Sequence, residues 1–419
     1  PGTIKGEKVR VLIVKVLSSH GFGKIVEIIE KSQARQDVDC NTYKRCGGCN
    51  LRHVKYEETL KMKQNAVQSL VNKTLKNKLQ IKETVGMENP LHYRNKAQYP
   101  IGINKKGEPV IGVFANRTHE VIPIDNCLIQ NKKSEEIAKF IIEFIKEKNI
   151  SIYDEKKGKG LVRHIVTKVG IKTGEIMCVI VINGHKIPNE NELVENLKTR
   201  YPEIKAIVKN INMKNTNVIL GQENINLYGN GYIEDILGEY KFKISPLSFY
   251  QVNPVQAEKL YNLGVSMAEI TKNDVVFDLY CGIGTISLFM SKFAKKVYGI
   301  EIVEEAVKMA KENAQNNNVS NTEFFAGDVE IVLDDLINNK GLKADVVMFD
   351  PPRKGLDKKS IDNILNIRPK KIVYISCNPA TLIRDLADFE NEYDIKTIIP
   401  VDMFPFTSHV ECVATLQLK

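Results

Sequence analysis

The feature that most constrains this fold is Asp278-Leu-Tyr-Cys-Gly-Ile-Gly-Thr285, set between an apolar strand-like run and a helical stretch. A glycine-bearing turn from strand into helix lets a ligand approach the backbone and opens a crossover between parallel strands. Around it the pattern repeats. Val275–Leu279, Lys296–Ile300, Glu323–Ala326, Ala344–Phe349, Lys371–Ile375, Asp394–Val401 and Glu411–Gln417 read as strands, with helical stretches between the first five. That alternation predicts an α/β, Rossmann-like, doubly wound sheet over residues 241–419, with ligands at the carboxyl ends of the strands.

Residues before 241 read differently. Val9–Leu17 and Lys24–Ile29 flank a glycine-containing turn and predict a β-hairpin from a small barrel. Two strands are too few for an independent domain. Glu58–Asn77 carries Leu60, Val67, Leu70, Val71 and Leu75 at helical spacing. Tyr93–Phe114 predicts paired strands turning at 104–107. Ser134–Lys148 predicts a helix, and residues 161–240 mix strands with one helix. The expected units are a partial N-terminal β-barrel (1–36), an α+β central domain (37–240) and the doubly wound domain (241–419).

Charge is split between the halves. Residues 1–240 hold 39 basic against 27 acidic side chains, residues 241–419 hold 21 against 24, and the net charge is +9. A basic part joined to a slightly acidic one points to a polyanion held by the first and chemistry done by the second. No apolar run approaches the ~18 residues of a membrane span, and no charged-then-apolar leader opens the sequence. A cytoplasmic, monomeric protein without membrane attachment is expected.

The glycine turn belongs to a nucleotide-type site. Glu301, 23 residues after Asp278, ends the next strand, where a carboxylate accepts from two ribose hydroxyls. Gly327-Asp328 ends the third strand, where a contact to adenine is expected. Ser287 stands where a dinucleotide fingerprint has its third glycine, so S-adenosylmethionine is favoured over a nicotinamide dinucleotide.

Two further strand ends carry chemistry. In Asp350-Pro-Pro-Arg353 an arginine replaces the aromatic residue with which amino-methyltransferases stack on a base, so methylation of an exocyclic amine is disfavoured. Ser376-Cys377-Asn378-Pro379 ends the fifth strand and aims a thiol at the same crevice. Carbon 5 of uracil is a poor nucleophile. Thiolate addition at carbon 6 makes carbon 5 enolate-like, and a base must later remove its proton. Cys377 is the expected nucleophile, Asp350 a polar anchor and Glu411, in His409-Val-Glu411, the base. Cys178, Cys281 and Cys412 read as structural.

Cys40-x5-Cys46-x2-Cys49, with Cys127 as the nearest later cysteine, offers four thiolates to zinc or to an iron–sulfur cluster. Three clustered ligands and one distant one lean toward [4Fe–4S]. The wide first gap and the fourth thiol argue against a radical adenosylmethionine triad.

With these residues in view, the chain resembles the RNA m5U (uracil-5-) methyltransferase family, in its iron–sulfur 23S rRNA branch. The motifs that carry the resemblance are the cysteine quartet, Phe249-Tyr-Gln-Val-Asn253, the Asp278–Thr285 loop, Asp350-Pro-Pro-Arg-Lys-Gly, Ser-Cys-Asn-Pro and His-Val-Glu. The resemblance implies a class I methyltransferase domain with Gln251, Tyr280, Glu301 and Asp350 at the S-adenosylmethionine pocket. It implies Cys377 as nucleophile, Glu411 as base, and [4Fe–4S] on Cys40, Cys46, Cys49 and Cys127. The family opens with an OB-like TRAM barrel, of which Pro1–Arg35 resembles the later part. The expected substrate is 23S rRNA, free or partly assembled. A tRNA T-loop is the nearest rival. A non-catalytic RNA-binding factor would be expected to lack Cys377 or Glu411. A cytosine-5 enzyme would carry Pro-Cys or Thr-Cys around its nucleophile.

Overall fold

The computed structural model describes residues 2–104, 106–116 and 118–419. The chain opens with the antiparallel hairpin β1 (Lys8–Val16) and β2 (Gly21–Glu30). Its apolar side chains, Leu12, Ile13, Val14 and Val16 among them, are exposed. The hairpin is tied to the next segment by the Glu7–Arg35 ion pair, which holds the Glu7 carboxyl down to about 2. Helix α1 (Tyr56–Thr74) follows.

The central sheet has order β5-β4-β3-β6-β7-β8-β9. Its strands and helices are β3 (Lys96–Ile103), β4 (Pro109–Phe114), β5 (Val121–Pro123), α2 (Lys132–Glu147), β6 (Val162–Val169), β7 (Ile176–Ile182), α3 (Glu190–Arg200), β8 (Ile204–Ile211) and β9 (Glu223–Tyr228). Strands β6 and β7 are buried along their whole length. In β7 this shows as a continuous apolar run, whereas β6 buries Arg163, His164, Thr167 and Lys168 among its apolar residues. One face packs on α2 and α3. The other shares a core with the hairpin β10 (Ile233–Leu237) and β11 (Tyr240–Ile244), and with helix α4 (Pro254–Ala268). Residue 240, the expected unit boundary, lies inside this hairpin.

The second sheet comprises β12 (Val275–Leu279), α5 (Thr285–Ser291), β13 (Lys296–Glu301), α6 (Glu304–Asn316), β14 (Thr322–Ala326), α7 (Val329–Asp334), β15 (Val346–Phe349), α8 (Lys358–Ile367), β16 (Lys371–Ser376), α9 (Pro379–Phe389), β17 (Tyr393–Val401) and β18 (Glu411–Leu418). Its order is β14-β13-β12-β15-β16-β18-β17: five parallel strands, then an antiparallel pair with β18 inserted beside β16. This is the doubly wound architecture expected from the sequence. One face joins the core of α4 and the central sheet. The other is covered by α7, α8, α9 and α1, whose Val67 and Val71 are fully buried there.

The α1 helix is also fixed by charge. Lys63, almost fully buried, pairs with the fully buried Asp402, which accepts a second bond from the Tyr56 hydroxyl at 2.9 Å. Burial pushes the Lys63 ammonium down, and Asp402 opposes that shift. Lys63→Met keeps the stem and strands the carboxylate. The variant is expected to lose about 3–5 kcal/mol of stability, measured as a lower urea midpoint at unchanged slope.

Candidate active site

The glycine loop leaves β12 in a conformation few side chains adopt. Tyr280, Gly282 and Gly284 all have positive φ, at 65°, 55° and 80°. A Cβ on Gly284 would stand 3.1 Å from Ala310 and Phe324, whereas one on Gly282 would meet nothing within 4 Å. The first glycine position therefore faces open space and the second seats α5 against α6. Asp278 is buried at the end of β12, where Ser287 donates to one carboxylate oxygen and the other has no partner among the described residues. Burial raises its carboxyl to about 7. Glu301 ends β13 and accepts from Gly282 N–H at 3.1 Å and Val303 N–H at 3.0 Å, one bond per oxygen. A carboxylate has about four lone-pair sites, so capacity remains for two hydroxyl donors. Asp328 caps α7 by accepting from Glu330 N–H at 2.9 Å. Tyr280 is half-buried and sits beside Ser360. A cradle that a Cβ could enter, flanked by these groups, fits an adenosyl-type ligand.

The reaction crevice lies at the carboxyl ends of β15 and β16. Ser376 pairs with Cys412 in the antiparallel ladder. One step further, Cys377 stands beside Glu411, the first residue of β18. The placement is therefore a consequence of strand register. Asp350, directly after β15, faces both. Glu411 is 4% exposed. Burial raises its carboxyl to about 8, Asp350 adds to the rise, and Arg353 opposes it. Burial raises Asp350 to about 7. Burial and the Glu411 and Asp350 charges push the Cys377 thiol above its ordinary value, again against Arg353.

Local hydrogen bonds hold these groups in place. Asn378 caps α9 through Ala380 N–H, with Pro379 at its first turn, and its amide donates to the Arg353 carbonyl at 3.1 Å. Below the loop, Asp385 accepts from Leu356 N–H at 2.9 Å and from the Tyr374 hydroxyl at 2.7 Å. Gln251 is buried beneath the crevice, and Asn95 donates to its carbonyl at 3.0 Å. Asn253 caps α4 and donates to Met403 O at 3.0 Å.

Three contributors escaped sequence reasoning. Tyr261, on α4, is fully enclosed beside Gln251, Thr285, Asp350 and Glu411. Nothing but its place on the helix after the Phe249–Asn253 motif signals it. Arg353 was visible only as a missing aromatic. The loop before β18 is gripped by the cysteine segment: Asn50 and Leu51 N–H both donate to Phe406 O, at 3.1 and 2.9 Å. Phe406 has φ 62°, and the Arg52 guanidinium lies 4.1 Å over its ring.

Cys40, Cys46, Cys49 and Cys127 are half-buried and feel one another's charge. Burial and that repulsion raise Cys46 and Cys127 and push Cys49 up to about 12, opposed by Arg52 and Arg94 at Cys49. Gly48 N–H donates to Cys46 Sγ at 3.3 Å. Among the described residues no group of three His, Cys, Asp or Glu is placed to hold a metal ion. The donor set is four thiols with nearby guanidinium charge, which suits an anionic, thiolate-ligated group.

The family described as tRNA (Uracil-5-)-methyltransferase matches residues 55–419. An RNA methyltransferase of Clostridium acetobutylicum is 49% identical over 99% of this chain and 90% of its own length. One of Staphylococcus aureus is 43% identical over 100% of this chain and 92% of its own. The crystal structure of Pyrococcus abyssi tRNA (uracil-54, C5)-methyltransferase with S-adenosyl-L-homocysteine is 27% identical. It covers 99% of this chain and 94% of that one, with a TM-score of 0.77.

Proposed function

The chain belongs to the tRNA (uracil-5-)-methyltransferase family and is an S-adenosylmethionine-dependent RNA uracil-5-methyltransferase, and on that premise we propose that it methylates a uridine of 23S rRNA through Cys377, Glu411 and Asp350. The observation that carries the site is the convergence of these three with Arg353 at one end of the sheet. In this reading the Cys377 thiolate adds to uracil C6 and the C5=C6 electron pair moves toward C5. S-adenosylmethionine, when bound, supplies the methyl group that C5 takes up. Glu411 then removes the C5 proton, the C5=C6 bond re-forms, and Cys377 leaves as thiolate. Arg353 counters the negative charge gathered beside the thiol. Gln251, Tyr280, Glu301 and Asp328 hold the cofactor, with Asp350 between cofactor and uracil.

We assign Cys40, Cys46, Cys49 and Cys127 to a [4Fe–4S] cluster that cross-links residues 40–50 to Cys127. The four thiols support rRNA as substrate, and the basic first half supports an RNA of either kind. The Pyrococcus abyssi relative supports a second reading, a tRNA uridine. Mapping 5-methyluridine by mass spectrometry in 23S rRNA and tRNA from a deletion strain separates them: the position lost names the substrate. Protein purified without oxygen should be brown with about four irons per chain. Stoichiometric zinc would overturn the cluster assignment.

The raised carboxyls set the pH response. Glu411 acts as base only when ionised, and burial with Asp350 beside it raises its carboxyl to about 8, while burial raises Asp350 to about 7. Turnover under saturating RNA should therefore fall as pH drops through this range, well above the usual carboxylate region. In Glu411→Gln the like charge beside Cys377 is gone, so the thiol pKa should fall. Iodoacetamide should then alkylate Cys377 faster than in wild type at pH 9, where wild-type Glu411 is ionised.

A further inference from the structure

A second concave site lies away from the reaction crevice, at the opposite end of the central sheet. Asn95, just before β3, bonds the Gln251 carbonyl, and Lys168, near the end of β6, donates to Ser245 O and Ser248 O. Those ends of the strands face the crevice. The other ends, Pro100–Ile103 of β3 and Arg163–His164 of β6, line a cavity of about 1070 Å³. At ~3.3 Å per residue the two sites are roughly 13–26 Å apart along the strands.

The cavity is built from planar groups and polar atoms without partners. The Arg163 guanidinium lies 4.3 Å over the Tyr153 ring and is anchored by donating to Asn212 O at 2.7 Å and Lys214 O at 2.8 Å. The His164 ring stands edge-on to Phe114, with centroids 6.3 Å apart. Arg163 and His164 are each 4% exposed. Among the described residues, His164 Nδ1, His164 Nε2 and Arg163 Nε have no hydrogen-bond partner. Buried polar atoms left bare cost stability until something bonds them.

The chemistry of these atoms selects the ligand. Burial and Arg163 hold His164 down to about 4, so its ring is neutral and offers one donor and one acceptor. At the rim Arg45 pairs with Glu120 and His119 meets Glu155, each at 2.6 Å, while Lys106 and Lys156 line the cavity without an ion pair among the described residues and can meet the phosphates that flank a base. A flat ring with donor and acceptor edges suits stacking surfaces beside a neutral imidazole.

We propose that this cavity binds an unpaired nucleobase of the substrate RNA, several nucleotides from the uridine that is methylated. The inference rests on the RNA reading above. It makes the central sheet a second reader of the RNA, one that recognises a base. Arg45, beside Cys46, forms part of the wall, so the cysteine segment helps shape the site.

The test uses whichever transcript, 23S rRNA or tRNA, carries the mapped 5-methyluridine. His164→Phe keeps a buried ring and removes both nitrogens. It should raise KM for that RNA about 5- to 100-fold, with S-adenosylmethionine affinity and thermal midpoint retained. Tyr153→Leu should raise KM in the same direction. A single abasic substitution at one unpaired position away from the target should weaken wild type equally and leave His164→Phe unaffected. Wild-type KM in both variants would overturn the inference while leaving the methylation reading intact. If wild type methylates neither transcript, the RNA reading itself falls, and this inference with it.

Discussion

Cys377→Ala should lower methyl transfer by about 10⁴-fold or more, the scale seen when an enzyme loses its nucleophile. The side chain is half-buried and small, and its neighbours on β16 and β18 are held by the strand ladder rather than by the sulfur. The fold and S-adenosylmethionine affinity should therefore survive, and the loss should appear in kcat. A 5-fluorouridine-substituted RNA sharpens the result. The fluorine at C5 cannot leave as a proton, so wild type should stall as a covalent protein–RNA adduct mapping to Cys377. Cys377→Ala should give no adduct. Activity within tenfold of wild type would show that addition at C6 does not proceed through this sulfur.

Glu411→Gln separates the two halves of the reaction. The amide is nearly isosteric, so β18 should keep its place between β16 and β17. Methyl transfer in a single turnover should proceed, while steady-state turnover falls about 10²- to 10⁴-fold, the contribution typical of a general base. The product should accumulate as an RNA–protein adduct that survives denaturing gel electrophoresis and carries the transferred methyl group. Rapid multiple turnover without an adduct would remove Glu411 from the role. The pair of variants is informative together: one should fail before the covalent bond forms and the other after it.

Much of this architecture is legible in residue patterns. Val275–Leu279 matches β12 residue for residue, and β17 and β18 differ from expectation by one residue each. Parallel strands covered on both faces must be apolar throughout, and such runs are easy to recognise. Edge elements are harder. β5 has three residues, and β10 mixes Ile and Leu with Glu234 and Asp235, so neither shows a clean period. The candidate groups of the crevice stood out in the sequence because each borders a strand, Asp350 and Cys377 just after one and Glu411 at the start of another. The order of the strands was not. That β18 enters beside β16, which brings Glu411 to Cys377, depends on long-range pairing. The grip of Asn50 and Leu51 on Phe406 crosses more than 350 positions and leaves no local trace. Tyr261 is likewise an ordinary helical aromatic until α4 is packed.

The placement of α1 has a practical consequence for protein engineering. Its Val67 and Val71 belong to the core of the doubly wound sheet, although the helix precedes the central sheet in the chain. The family match also begins at residue 55, at the threshold of this helix. A chimera joined near residue 240 would graft a sheet that keeps α7, α8 and α9 on this face but lacks the native α1 contacts of Val67 and Val71, and Asp402 would lose Lys63. Exchanges of RNA-reading parts between relatives should therefore transfer an internal cassette, roughly 90–230, and leave residues 55–85 with the catalytic half they insulate.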